Sequence, residues 1–293
     1  MTDAALSDEF HAEAESAKNA AVGARGARGP HGGWEEVGAN TARRSAGTQD
    51  DEGWTYRDAL SYRTPWGFVP YISYGATFPP NVGTLVTGAP AAPTTAGQTE
   101  VGVKYVVPGY NALITASFFQ IDMKDGVVFD ASSGINEQVQ QDMRSRGFEV
   151  EGVASLTEGL SVTASYAYTD VEITEGAVGT VGNTVNGVPF HQASIFADYT
   201  FQKGVAAGFG LGAGVRYVGE SFGDDFNIIE NDPRTYVDAA LHYDFGYKSP
   251  KLEGVRFQIN ATNLLDERYE ACAAGWCYWD QGRTIIGSLR YRF

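Results

Sequence analysis

Few residues in this 293-residue chain are spaced for chemistry. The two cysteines, Cys272 and Cys277, enclose only four residues, so the most they can form is one local disulfide. Zinc is the rival use of such a pair, but no histidine or second cysteine pair stands nearby. The four histidines, His11, His31, His191 and His242, are scattered, with no nucleophile–base spacing and no His-Glu-x-x-His element. Asp224, Asp225, Glu230 and Asp232 gather carboxylates, yet they lack the central glycine and closing glutamate of a calcium loop. A solvated loop is the simpler expectation for them. The run Gly208-Phe209-Gly210-Leu211-Gly212-Ala213 has the form of a dinucleotide fingerprint, but it lies in an alternating strand pattern with no helix after it. Its glycines are expected to keep one strand face flat where something packs closely. No catalytic set, metal site or cofactor is expected, and the chain is not read as an enzyme.

The remaining candidates are aromatic. Trp276, Tyr278 and Trp279 crowd the cysteine segment, and Phe222 and Phe226 flank the acidic Gly223-Asp224-Asp225. Composition limits the partners that such side chains could serve. With 21 basic and 36 acidic residues the net charge is −15, which excludes a basic nucleic-acid surface. No run of 18 apolar residues occurs, so no transmembrane helix is expected. Strands of a membrane barrel alternate and would escape such a search.

The chain divides into two parts. Residues 1–53 are rich in Ala, Gly, Glu, Asp and Arg and hold only two aromatics, Phe10 and Trp34. This stretch is expected to be low-complexity and disordered, or unrelated to the rest of the chain. No secretory leader is legible in it. Residues 54–293 alternate with a period of two and give eleven candidate strands: 56–63, 67–78, 99–107, 111–124, 143–156, 160–172, 190–202, 207–219, 234–246, 253–264 and 282–293. Phe209, Leu211, Ala213, Val215 and Tyr217 share one face of the eighth, opposite four glycines and Arg216. The strand at 111–124 carries apolar residues on both faces.

The links alternate as well. Short ones fall at 64–66, 108–110, 157–159, 203–206 and 246–252, and long ones at 79–98, 125–142, 173–189, 220–233 and 265–281. Short turns at one end and long loops at the other predict an all-β, antiparallel transmembrane barrel. Tyr and Phe near the strand ends, among them Phe68, Tyr166, Tyr199, Phe201, Tyr217, Tyr243 and Tyr291, suit the two membrane interfaces.

Asn263-Leu264-Leu265-Asp266-Glu267-Arg268-Tyr269, the cysteine-bracketed loop, the pair Tyr278-Trp279 and a final strand ending in Phe293 form a combined pattern. It resembles the C-terminus of TonB-dependent outer-membrane receptors of the ferrichrome-type siderophore class. Pro70–Phe78, Glu100–Tyr105 and Gly147–Gly152 are similar to that family too. The resemblance implies the C-terminal half of a 22-stranded barrel, without the plug that fills its lumen. It implies an outer-membrane location and uptake of an iron(III)–siderophore, with the TonB complex, outer-membrane lipid, lipopolysaccharide and the barrel-assembly machinery as partners. Iron would arrive already chelated. By the same resemblance Trp276, Tyr278 and Trp279, and more weakly Phe222 and Phe226, would contact ligand, or else pack within loops and at the interface. Leu289, Tyr291 and Phe293 would form the barrel-insertion signal. Ala273 stands where relatives commonly carry an aromatic, which leaves the siderophore open.

An eleven-strand sheet has two open edges, so the chain is expected to be a truncated barrel, inactive alone. Two other functions stay in view: a porin-like passive channel assembled from half-barrels, and a soluble β-sandwich binding protein. In the sandwich, the face of Phe209, Leu211 and Tyr217 would be an aggregation hazard in water.

Overall fold

Alternation of apolar with small or polar residues makes one strand face tolerable in hydrocarbon and leaves the other for water. Eleven such strands lie side by side in the computed structural model, which describes residues 53–81, 83–130 and 137–292. They are β1 (Tyr56–Ser61), β2 (Phe68–Thr77), β3 (Thr95–Val106), β4 (Asn111–Asp130), β5 (Glu137–Ser155), β6 (Leu160–Glu175), β7 (His191–Thr200), β8 (Phe209–Val218), β11 (Arg234–Asp244), β12 (Val255–Thr262) and β15 (Thr284–Tyr291). Two short hairpins stand outside the sheet: β9 (Ser221–Phe222) with β10 (Glu230–Asn231), and β13 (Glu270–Ala273) with β14 (Trp276–Trp279).

The sheet is an antiparallel meander in chain order, each of the eleven strands paired with the next. The fold is all-β, and the sheet does not close on itself. β1 and β15 form its two edges, and with an odd number of strands in a meander they run in the same direction. Among the described residues helix is limited to two single 3-10 turns, Phe245–Tyr247 and Pro250–Leu252. The eleven expected strands are all present.

One expected long link is mostly strand. β4 and β5 remain paired from Asn111–Ser155 out to Asp130–Glu137, so most of 125–142 is hairpin. A register shift between Met123 and Gly126, with Asp125 at a φ of 54°, hides this continuation from a strict two-residue period. The extra residue displaces every later side chain to the other face.

Register assigns the faces. Ile72, Val101, Phe118, Phe148 and Tyr166 lie on one side, joined across strands through Val101–Phe118, Phe118–Phe148 and Val150–Tyr166. The same side continues through Ile195–Val215, Tyr199–Leu211, Leu211–Leu241, Leu241–Ile259 and Phe257–Leu289. Most of these side chains are exposed, Phe118 by 63%, Ile195 by 52% and Leu289 by 72%, while Phe148, Tyr166 and Ile259 are half-buried. Buried apolar residues among those described are few, namely Ala91, Ile173, Tyr236, Ala240 and Cys272. A soluble sandwich would cover such a face with a second sheet. Among the described residues no second sheet covers it, which is the pattern of a strand face that meets hydrocarbon.

Aromatic pairs gather at two levels. At the short-turn end Phe68 stacks on Tyr105 at 4.2 Å, and Tyr199–Phe201 and Tyr243–Phe245 meet edge-on. Nearer the long loops run Phe118–Phe148, Phe148–Tyr166 and Tyr168–His191.

The opposite face is polar. Tyr71 donates to Glu100 at 2.5 Å, Ser165 and Ser194 share a hydrogen bond at 2.8 Å, and Arg216 grips Asp238 with two nitrogens. The glycines of β8 lie here under ring systems from neighbouring strands. A Cβ on Gly212 would come within 2.7 Å of Phe196 Cζ, and one on Gly210 would collide with His242. The flat face is thus occupied by side chains of the wall itself.

Candidate functional site

The long links converge at one end of the sheet, and asparagines and aspartates bind three of them into one body. In the β8–β11 loop the Asp224 carboxylate accepts the backbone N–H groups of Phe226, Ile228 and Ile229, the last at 2.6 Å. Such local acceptance is what short carboxylate side chains do in turns. Asn227, at a φ of 57°, reaches into the β6–β7 loop, accepting from Thr184 N at 2.9 Å and donating to Thr184 O at 2.8 Å. Asp225 Oδ1 accepts from both the backbone and the side chain of Asn186, and its Oδ2 accepts from Gln141 on the β4–β5 hairpin at 3.3 Å. Asp224 is therefore a working acceptor within its own loop and Asp225 one between loops, so neither is a freely solvated carboxylate. Among the described residues no cluster suited to a metal ion occurs.

The cysteine hairpin docks on this body. Cys272 and Cys277 face each other across β13 and β14 and are disulfide-bonded. Asn231, 4% exposed, satisfies both backbone groups of Cys272: its Oδ1 accepts Cys272 N at 2.7 Å, and its Nδ2 donates to Cys272 O at 2.9 Å. The same Nδ2 reaches Ser221 Oγ at 3.1 Å. At the hairpin tip Ala274 N donates to Asn186 Oδ1 at 2.7 Å, and Gly275 N to Gly223 O at 3.0 Å. Gly223 must be glycine for this approach, since a Cβ there would sit 2.6 Å from that of Cys272.

This docking fixes the backbone and leaves the aromatics exposed. Trp276, Tyr278 and Trp279, all on β14, are 52%, 64% and 69% exposed. Phe226 lies apart from them, on the wall of a cavity of about 280 Å³ shared with Val128, Val139, Ala177, Ile228 and Ile229. The turn residues Ala274 and Gly275 line the same cavity, so the hairpin carrying the tryptophans forms part of its rim. Phe222 does not join them; it packs edge-on against Phe190, with centroids 6.3 Å apart. Of the five aromatic candidates, one lines the recess, three stand on the hairpin that rims it, and one fills a gap between loops.

The Asn263–Tyr269 segment is the anchor that sets the hairpin's root. Asn263, 3% exposed and at a φ of 52°, leaves β12 by a left-handed turn that asparagine tolerates. Its backbone N–H donates to Asp238 on β11, and its side chain closes on Glu267 N and O and on Gln281 O. Asp266 accepts from Arg283 N at 2.7 Å, and this backbone bond, with the nearby Arg268 and Arg283 charges, holds its carboxyl below the usual range. Tyr236, Arg234 and Asp280 meet just beneath, with Tyr236 donating to Asp280. Sequence reasoning picks out Asn263 and Asp266 as a pattern without their work. It misses Asn186, Asn227 and Asn231, since no periodicity marks a loop amide that pairs with a distant turn.

Leu289 and Tyr291 lie on the apolar face of β15, paired with Phe257 and Val255. Phe293 and residues 1–52 lie outside the described residues.

Comparison with known proteins places this architecture. Residues 26–264 match the family model described as "TonB dependent receptor-like, beta-barrel", a span that begins within the N-terminal stretch set apart by composition. The ferrichrome outer membrane transporter/phage receptor of Escherichia coli is 34% identical over 255 residues, covering 85% of this chain and 34% of its own. The ferrioxamine receptor of Yersinia enterocolitica is 30% identical over 258 residues, covering 87% and 35%. The crystal structure of the ferric yersiniabactin uptake receptor FyuA from Yersinia pestis superposes with a TM-score of 0.68 at 18% identity, over 84% of this chain and 38% of that one. The chain spans about a third of the length of the curated relatives it matches. These relatives are transporters and receptors, not enzymes. The chain belongs to the TonB-dependent receptor-like β-barrel family.

Proposed function

We propose that this chain forms the C-terminal part of the barrel of an outer-membrane receptor for iron(III)–siderophore uptake, its long-loop end facing outward. The observation that carries the reading is the disulfide-closed hairpin, which presents three exposed aromatics at the long-loop end of a lipid-facing meander. Aromatic faces suit a neutral or weakly charged chelate, and rigid backbone docking holds them ready without an ordering cost. Trp276, Tyr278 and Trp279 are assigned to ligand contact, with Phe226 on the adjoining recess, while Phe222 is assigned to loop packing. The metal is cargo, arriving chelated. Energy for uptake is assigned to the TonB complex acting on the whole receptor, and the surrounding surface to lipid and lipopolysaccharide. Barrel-assembly machinery would read the C-terminal strand through Leu289, Tyr291 and Phe293.

The test uses iron-starved cells of the source organism and ⁵⁵Fe-loaded ferrichrome and ferrioxamine B, the ligands named for the relatives. Deleting the coding sequence is expected to abolish uptake of at least one. Replacing Trp276 and Trp279 together by Ala is expected to weaken binding roughly tenfold, from about 0.5–1.5 kcal/mol per lost aromatic contact. Heat-modifiable migration would show that the variant barrel is intact. Uptake of both chelates unchanged by the deletion would overturn the assignment.

A further inference from the structure

The recess beside the aromatic hairpin has a character of its own. Its volume is about 280 Å³, and it is an open recess bordered by four outer elements: the β4–β5 hairpin, the β6–β7 loop, the β8–β11 loop and the tip of the cysteine hairpin. Val128 and Val139 are direct cross-strand partners and form one wall. Ala177, Phe226, Ile228 and Ile229 supply most of the remaining apolar lining, with Gln141, Thr180 and Asn186 as its uncharged polar members. Asp224 and Asp225 are the acids that border it, and both are committed. Asp224 is taken up by three backbone N–H groups, and both oxygens of Asp225 by Asn186 and Gln141. Both carboxylates are already hydrogen-bonded, and among the described residues no basic side chain lines the recess.

Volume and chemistry together define what fits. A cavity near 150 Å³ holds a benzene ring, and a drug-sized ligand takes roughly 300–1,000 Å³. A complete iron chelate is too large for this space, whereas an uncharged apolar group of about ten to fifteen atoms is not. We propose that the recess is a separate subsite for an apolar tail, an acyl or alkyl chain carried by the incoming chelate, with the chelate itself resting on the aromatics of β14. The continuity is covalent: Ala274 and Gly275 line the recess, and Trp276 comes directly after them. The subsite is preformed, because loop-to-loop amide bonds hold its walls without ligand. This assignment rests on the receptor reading for the tail's carrier but not for the recess itself.

The test compares ferrioxamine B with its derivative octanoylated on the terminal amine, both loaded with ⁵⁵Fe, on outer membranes holding the native receptor. The eight-carbon tail is expected to tighten binding at least roughly tenfold. Val139→Phe, which fills the recess from its strand wall, is expected to cancel that gain and leave the untailed chelate unchanged. A tail that adds nothing, or a gain that survives V139F, would overturn the subsite. A second readout is independent of iron: photolabelling with an octanol bearing a diazirine. Label is expected on the peptides holding Ala177 and Phe226 and should vanish from them in V139F, while label on the lipid-facing strands persists as internal control. If neither chelate binds yet this labelling pattern appears, the receptor reading fails and the subsite stands. If the loop peptides stay unlabelled, the subsite fails on its own.

Discussion

The imidazole of His242 occupies the space that a side chain at residue 210 would need. His242 on β11 is paired directly with Gly210 on β8, is 2% exposed, and places Nε2 at 3.1 Å from Asp198 Oδ1 on β7. Three strands are thereby linked across a glycine, on the polar face of the sheet.

Replacing Gly210 by Ala is expected to drive the ring from this seat and break its contact with Asp198, at a cost of about 1–3 kcal/mol for overpacking. Gly152→Ala is the control, because the nearest atom to a Cβ there is Ile114 Cγ1 at 4.0 Å. Urea unfolding in detergent, monitored by the gel shift between folded and boiled barrel, would measure both. Equal losses for the two variants would refute the seat's importance.

Asn231 is the single side chain on which the cysteine hairpin's docking depends most. Asn231→Ala removes three hydrogen bonds and leaves both backbone groups of Cys272 buried without partners, which costs about 1–3 kcal/mol per group. The sheet should remain intact while the hairpin lifts. Hydrogen exchange at Cys272 N is expected to accelerate at least tenfold, with β11 and β12 unchanged. Unaltered protection of that amide would show that the disulfide alone holds the hairpin.

How far the sequence speaks depends on whether a feature is local. Strand faces are local: Leu211, Ala213 and Val215 alternate with glycines, so the apolar side of β8 is legible from the chain alone. The cysteine pair is local too, five positions apart on one hairpin. The β4–β5 extension is illegible because the extra residue near Asp125 inverts the alternation, turning a strand into what looks like a loop. The recess is illegible for another reason. Val128, Ala177, Phe226 and Ala274 come from four separate links, and only hydrogen bonds such as Asn186–Asp225 and Asn186–Ala274 bring them together.

Asp266 gives the root of the hairpin a pH dependence. Its carboxyl is held below the ordinary value of 3.8, first by Arg283 N and then by the Arg268 and Arg283 charges. A depressed carboxylate contributes stability that is present above the ordinary aspartate pKa and is lost as pH falls through the lowered one. Between about pH 5 and the ordinary value the turn should hold, and below it the protection of Arg283 N, taken relative to the intrinsic exchange rate at each pH, should fall progressively. Asp266→Asn is expected to abolish that acid dependence. An Arg283 amide that opens equally with falling pH in both proteins would contradict the link.

Leu211 decides between bilayer and water as the solvent of the apolar face. It sits between Tyr199 and Leu241 on neighbouring strands, and it is 43% exposed, with no second layer over it among the described residues. If that face meets hydrocarbon, Leu211→Arg puts a charge in the apolar band toward its short-turn edge, at a cost of about 1–2 kcal/mol, between the interface and midplane values. Thr163→Arg, on the opposite face of β6 and likewise exposed, meets water or polar groups and is expected to cost well under about 1 kcal/mol. In a soluble sheet the order would be indifferent or reversed, since an exposed leucine in water gains solubility when made charged. The measurable contrast is insertion yield into outer-membrane fractions, with the two substitutions expressed side by side. A strong loss for L211R against near-normal yield for T163R fixes the apolar face toward lipid, and parity between them would return that face to water.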